Sequence, residues 1–322
     1  MKPIRLGCLL LILAAIITAA QDRTTDRSER KTISSVVEAD DKTEDMLYLE
    51  VGFSKRIFYS LDIQDAAAAL HVIVVKIVEE MGESVTVTTR MYENNEEIIT
   101  DLKANQLDVI AVLSEDLPEL LDYNMVDPFL LEIEEEGEER ELNEHYVLCA
   151  RTELSKSGLK ALENKKLIIS DWIDSDLPDF WMEVLLHDHH LPSLKSFFSQ
   201  IERIQRSELA VMRIFFRKAD ACLVPKQTFQ VLMEMNPQIA NEIAIIEESP
   251  GFVNGVICLN KTLTEERDRR SLIEETLLNM KQKSGGEQLM TLFKIYDWIP
   301  YNELYLQDTF EVIKRYRELN GN

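Results

Sequence analysis

The chain has 322 residues, with 58 acidic side chains against 35 basic ones and a formal net charge of −23. Long-range repulsion from such a charge argues against nucleic acid or an anionic membrane surface as a partner. The length exceeds what one hydrophobic core usually organises, which points to two domains.

The N-terminus reads as an export signal. Lys2 and Arg5 precede an apolar run from Leu6 to Ala20, which ends Thr18-Ala19-Ala20 before polar Gln21. A basic start, a short apolar run and a small-residue end describe a signal peptide over residues 1–20. The run is shorter than the roughly 20 residues of a comfortable membrane span; an uncleaved anchor is the alternative. Cys8 is badly placed for lipidation at a cleavage site. Cleavage removes the charges of Lys2 and Arg5, taking −23 to −25, and leaves Cys149, Cys222 and Cys258. An odd number of widely spaced cysteines in apolar contexts is no disulfide framework, so buried free thiols are expected. Residues 21–45 are polar and without apolar pattern, a disordered linker, and the folded part begins at Met46.

Leu47 to Gly52 predicts a strand, Ile63 to Glu80 a helix stopped by Gly82, and Val85 to Thr89 a β-branched strand. Asn94 to Asn105 predicts a helix capped by Asn94, with Glu97 as its reciprocal acidic partner. Leu107 to Leu113 is a buried strand. Strand and helix alternate here, as in a parallel sheet with right-handed crossovers. Phe129 to Ile133 and Leu142 to Ala150 then read as a hairpin with an acidic tip, Glu134 to Glu139, that lacks the spacing of a calcium loop.

A second α/β unit follows. Helices are expected over Leu154–Leu162, Pro178–His187, Glu208–Arg217 and Thr228–Met235, with Ser175 or Asp176 capping the second. Strands are expected over Leu167–Ser170, Ile201–Ile204, Ala221–Val224 and Ile243–Ile246. Val253 to Leu259 is extended, and three helices close the chain: Glu265–Gln282, Gly285–Phe293 and Leu306–Glu318. Two such units, with extended crossings near Tyr146–Ala150 and Phe252–Cys258, suggest an α/β fold of two lobes joined by a two-strand hinge. Residues 46–145 with 253–322 would form lobe 1, and 146–252 lobe 2.

Several stretches together resemble a known family. Phe215 to Val224 followed by Asn236-Pro237-Gln238, Leu102 to Val109, His145 to Ala150, Ser157 to Leu167 (with Asn164 at a usual glycine) and Gly285 to Phe293 follow in order and spacing the phosphate/phosphonate-type substrate-binding proteins of ABC importers. The resemblance covers nearly all of Met46 to Leu319. It implies a type 2 periplasmic-binding-protein fold, two mixed or parallel sheets flanked by helices, that holds a solute between its lobes. Two departures stand out. Where phosphonate binders place hydroxyls at a second-lobe helix N-terminus, a natural anion seat, this chain has Ser170-Asp171-Trp172-Ile173-Asp174-Ser175-Asp176. The ligand-facing tyrosine of the first lobe falls on Asn95. Both argue against a phosphonate.

Ligands in open α/β sheets sit at strand carboxyl ends. Candidate contacts by that rule are Ser54, Tyr92, Asn94, Ser114, Ser170, Trp172, Ser207 and Asp220. Asp220 matches a family position that receives a ligand's amino group, and it equally suits a turn cap. Trp181 reads as core, and Phe215 and Phe216 as one face of a packed helix. His187-Asp188-His189-His190 lie in immediate succession after a helix end, where imidazoles point apart and suit the helix dipole better than a metal. No nucleophile elbow, P-loop or His-Glu-x-x-His occurs. The expected function is therefore non-enzymatic solute capture in the periplasm by a monomer, without cofactor or metal, for an ABC permease. The alternatives are a sensor subunit for a membrane signalling protein and an enzyme of related fold.

Overall fold

Apolar strands and amphipathic helices alternate from Leu47 onward because buried strands need helices on both faces of their sheet. The computed structural model describes residues 47–58, 63–79, 85–134, 143–171, 174–264, 267–293 and 295–321, all within the unit Ser34–Asn322. The signal peptide, the 21–45 linker, the tip of the acidic turn and Trp172 lie outside the described residues.

Among the described residues there are eleven strands: β1 (Leu47–Ser54), β2 (Val85–Tyr92), β3 (Val109–Leu113), β4 (Val126–Glu134), β5 (Tyr146–Arg151), β6 (Lys166–Ser170), β7 (Gln200–Ile204), β8 (Ala221–Pro225), β9 (Ile243–Glu248), β10 (Gly255–Asn260) and β11 (Ile295–Pro300). They form two mixed sheets, in the orders β11-β4-β10-β3-β1-β2 and β7-β6-β8-β5-β9. In the first, β1 runs parallel to β2 and β3, while β10 returns antiparallel between β3 and β4. In the second, β6 is parallel to β7 and β8, and β5 is antiparallel to β8 and β9.

The main helices are α1 (Ile63–Glu79), α2 (Asn95–Lys103), α3 (Leu117–Asp122), α4 (Leu177–Asp188), α5 (Ser207–Phe215), α6 (Lys226–Met235), α7 (Arg267–Leu278), α8 (Ser284–Phe293) and α9 (Gln307–Leu319). Strand alternation divides the cores as a period of two requires. On β3, Ile110 and Val112 join Ile98, Leu102 and Leu117, while Val109 joins Leu130, Leu259 and Ile273 on the opposite face. On β5, Leu148 and Ala150 pack with Trp181, Met182 and Phe197; Val147 and Cys149 pack with Val211, Ile214 and Phe229. Cys149, Cys222 and Cys258 are free and buried.

The hairpin expected between Phe129 and Ala150 is corrected. β4 pairs with β10 and β11 in the first sheet, and β5 with β8 and β9 in the second. Better partners for each strand arrive later in the chain, so the two runs part instead of pairing. Their divergence marks the crossing between sheets. There Glu144 N–H donates to Phe252 O at 2.7 Å, and Phe252 N–H returns to Glu144 O at 2.8 Å. Two antiparallel segments thus connect the units. The closing helix differs from the expected division. α9 packs on α4 of the second unit: Val312 and Ile313 lie in that core, and Tyr316 stacks on Phe180 with ring centroids 4.0 Å apart. Leu154–Leu162, expected as one helix, is split by Gly158, whose φ of +69° breaks the helical run.

Candidate functional site at the strand carboxyl ends

β1, β3 and β6 end toward one place, and the residues just beyond them carry its chemistry. After Ser54 the chain makes a short 3-10 turn, Lys55–Phe58, that presents Arg56. After Leu113 come Ser114, Glu115 and Asp116, before α3 opens with Pro118 in its first turn. From the second sheet, the residues between β6 and α4 bring Asp174, Ser175 and Asp176.

These segments close on Arg56. Its Nη1 donates to Asp116 Oδ1 at 2.8 Å, its Nη2 to Asp176 Oδ2 at 2.9 Å and to Glu115 Oε1, and its Nε to the Asp174 carbonyl at 2.9 Å. The Asp174 carboxylate lies 3.9 Å from Nε. The planar guanidinium fork can serve several oxygens at once, which a lysine could not.

Glu115 reaches across from the first unit to the N-terminus of α4. Its Oε1 accepts from the Asp176 N–H at 2.9 Å; its Oε2 accepts from Ser175 Oγ at 2.6 Å and the Leu177 N–H at 3.2 Å. Asp176, at the N-cap position, makes no side-chain cap bond, so the expected capping by the helix's own flank is shared with a carboxylate from the other unit. Helix N-terminal amides are unsatisfied donors with a positive dipole end, which explains the attraction.

The electrostatics are crowded. Burial pushes the Glu115 carboxyl up to about 7, against the downward pull of Arg56, the Asp176 N–H and Ser175. Burial also raises Asp116, with Arg56 and Asn95 opposing. Arg56 itself is held above its ordinary value: burial opposes its charge, but Asp116, Glu115, Asp176 and Asp174 outweigh that. Asn95 donates to Glu119 Oε2 at 2.8 Å and to Asp116 Oδ1 at 3.4 Å. Beside this cluster Arg203 bridges Asp171 at 2.8 Å and Asp179 at 2.6 Å, and burial raises both carboxyls.

The residues selected from sequence are placed unevenly. Ser54 and Ser170 end their strands and Ser114 follows one, and all three are buried. The Ser114 hydroxyl is spent on the Val253 carbonyl, and Ser170 and Ser207 share one hydrogen bond of 2.5 Å. Tyr92 is a core side chain whose hydroxyl donates to Asp101 Oδ2 at 2.8 Å. Asn94 caps α2, accepting from Glu97 N–H at 3.0 Å, while Glu97 returns to the Glu93 N–H at 3.4 Å. Asp220 lies at the opposite end of the second sheet, accepting from Lys166 N–H at 3.0 Å and Arg151 Nη2 at 3.1 Å. His187, His189 and His190 are exposed. Among the described residues, no group of three or more His, Cys, Asp or Glu is arranged to hold a metal ion, and no helix is long and apolar enough to cross a membrane. Sequence reasoning missed Arg56, Glu115 and Asp116. The strand-end rule that picked Ser54 and Ser114 stopped one or two residues short of them.

Residues 64–304 match the family model described as ABC transporter, phosphonate, periplasmic substrate-binding protein. No curated protein matches the chain. Among solved structures, a Xanthomonas citri protein, described bound to chloride and bound to ATP, is 13% identical with a TM-score of 0.57, over 85% of this chain. The match covers 99% of that protein's chloride-bound chain and 98% of its ATP-bound one. A binding protein component of an ABC phosphonate transporter from Pseudomonas aeruginosa is 11% identical, with a TM-score of 0.54 over 86% of this chain and 90% of that one. A Prochlorococcus marinus protein in complex with methylphosphonate is 14% identical, with a TM-score of 0.53 over 85% and 99%. At these identities the structures speak to the fold, which is the expected type 2 periplasmic-binding-protein fold.

Proposed function

This chain belongs to the family of periplasmic substrate-binding proteins of ABC phosphonate transporters, and from that premise we propose that it captures a small solute between its two sheet units for delivery to an ABC permease. The observation that carries the reading is the meeting of both units' strand ends at Arg56, which holds Glu115 and Asp116 from one unit and Asp174 and Asp176 from the other. Such a junction, spanned by two connecting segments, lets differential affinity for the closed form drive closure. The protein acts in the periplasm as a monomer, performs no reaction and needs no cofactor. Asn95, Asp116 and Glu119, with Asp174 and Asp176, supply the polar contacts.

The relatives solved with methylphosphonate and with ATP have phospho-compounds in common. Solute capture is tested by a thermal-shift screen of the mature protein against phosphate, phosphonates, sulfonates, amino acids, polyamines, thiamine-like compounds and metal ions. A native-state ligand raises the unfolding midpoint by mass action. A saturable shift from one class supports capture; no shift from any class counts against it.

A further inference from the structure

In an open cleft, the first-turn amides of a twelve-residue helix such as α4 are a ready seat for an anion. Here that seat is taken. Glu115 comes from the other unit, its side chain only 2% exposed, and accepts from Ser175 Oγ and from the Asp176 and Leu177 amides. The nearby guanidinium is also committed, since Arg56 faces four carboxylates. An incoming oxyanion would find its donors already used and carboxylates around them.

The same site has spare acceptor capacity. Asp116 is only 7% exposed, and of its two carboxylate oxygens Oδ1 alone is engaged, by Arg56 and Asn95. Its Oδ2 is buried with no hydrogen-bond partner among the described residues. An unsatisfied buried acceptor is costly, and a charge-assisted donor is the strongest way to satisfy it. Negative charge around it is in excess: Asp174, Asp176 and Glu115 share Arg56 with it, and Glu119 leans on neutral Asn95.

Resting on the solute-capture reading above, we propose that Glu115 stands in for the anionic group of a solute at the α4 N-terminus, and that the cleft consequently takes a solute through an ammonium group donated to Asp116. The family's oxyanion chemistry is thereby inverted without changing the fold. Glu115 sets this specificity by exclusion, and Asp116 by direct contact.

Calorimetric titration at about pH 8 and near-physiological salt, above the value of about 7 at which the Glu115 carboxyl ionises, tests this with spermidine, putrescine and methylphosphonate. The expected result is saturable, single-site binding of a polyamine to the wild type and none of methylphosphonate. Asp116→Asn, which keeps the shape, lowers polyamine affinity by at least about tenfold, as loss of a buried charge contact does. Glu115→Ala vacates the helix N-terminus and gains methylphosphonate binding; circular dichroism confirms that both variants are folded. Methylphosphonate binding to the wild type overturns the inference and leaves solute capture standing. So does polyamine binding unaffected by Asp116→Asn, or weak binding at many sites, which is surface charge alone. Failure of both classes on wild type and Glu115→Ala overturns the inference; failure of the whole thermal screen overturns the capture reading as well.

Discussion

Glu115→Gln should flatten part of the protein's pH-stability profile. In the folded protein burial lifts this carboxyl from 4.5 to about 7, opposed by Arg56, the Asp176 amide and Ser175, with Asp116 adding to the rise. A group whose folded value is raised binds its proton more tightly folded than unfolded. Its contribution is therefore fully present below pH 4.5, and is lost as pH rises through 7. Moving the carboxyl from 4.5 to about 7, at roughly 1.4 kcal/mol for each pH unit, corresponds to about 3–4 kcal/mol across that window. Glutamine resembles the protonated form and does not titrate. It will carry a constant offset, because its amide nitrogen cannot accept from both the Ser175 and Leu177 donors, but that offset cancels when profiles are compared across pH. Urea unfolding of both proteins at half-unit steps from pH 4.5 to 8 supplies the measurement. Asp116, Asp171 and Asp179 also titrate upward in the fold, and comparing wild type with variant removes their share. The wild type should lose stability relative to the variant as pH rises. Parallel profiles, or a wild type that gains on the variant, would show that the four donors around Glu115 hold it ionised, and would refute the desolvation argument.

Other substitutions test the architecture. Asp220→Ala removes the acceptor for the Lys166 amide and Arg151; it should cost about 1–3 kcal/mol by denaturant unfolding while solute affinity stays unchanged. Ile313→Ala should cost about 2–5 kcal/mol, since Ile313 lies 3% exposed in the second unit's core; a negligible loss would detach α9 from that core. At Gly52 an added Cβ would lie 2.6 Å from Tyr92 Cε2 and 2.8 Å from Ile110 Cδ1. Gly52→Ala should therefore lower the thermal midpoint, at about 1–3 kcal/mol for overpacking.

The regular elements were legible because their signals are local. Asn94 with Glu97 marks the start of α2, and the apolar runs at Val109–Leu113 and Ala221–Pro225 sit where strands were expected. Partner choice was not legible. β4 and β5 each look like half of a hairpin, and β10 and β11, more than a hundred residues later, hold β4 in the first sheet. The apolar stripe of α9 shows that it packs, but not on which unit. Arg56 presents the same difficulty at the site. Alone it is a charged residue in a turn; its partners lie 59 to 120 positions away, and only folding assembles them. The carboxylate-rich stretch before α4 was visible, and so was its conflict with a phosphonate. That Glu115 from the other unit would fill the helix N-terminus was not, because it depends on how the two units meet.

Small-angle X-ray scattering with and without the solute giving the largest thermal shift tests most directly whether that solute is captured between the units. Saturating solute should lower the radius of gyration by shifting the population toward the form in which the two sheet units meet at Arg56, and Arg56→Ala should blunt the change. Identical scattering curves at saturation would place the bound solute away from that junction and contradict capture between the units.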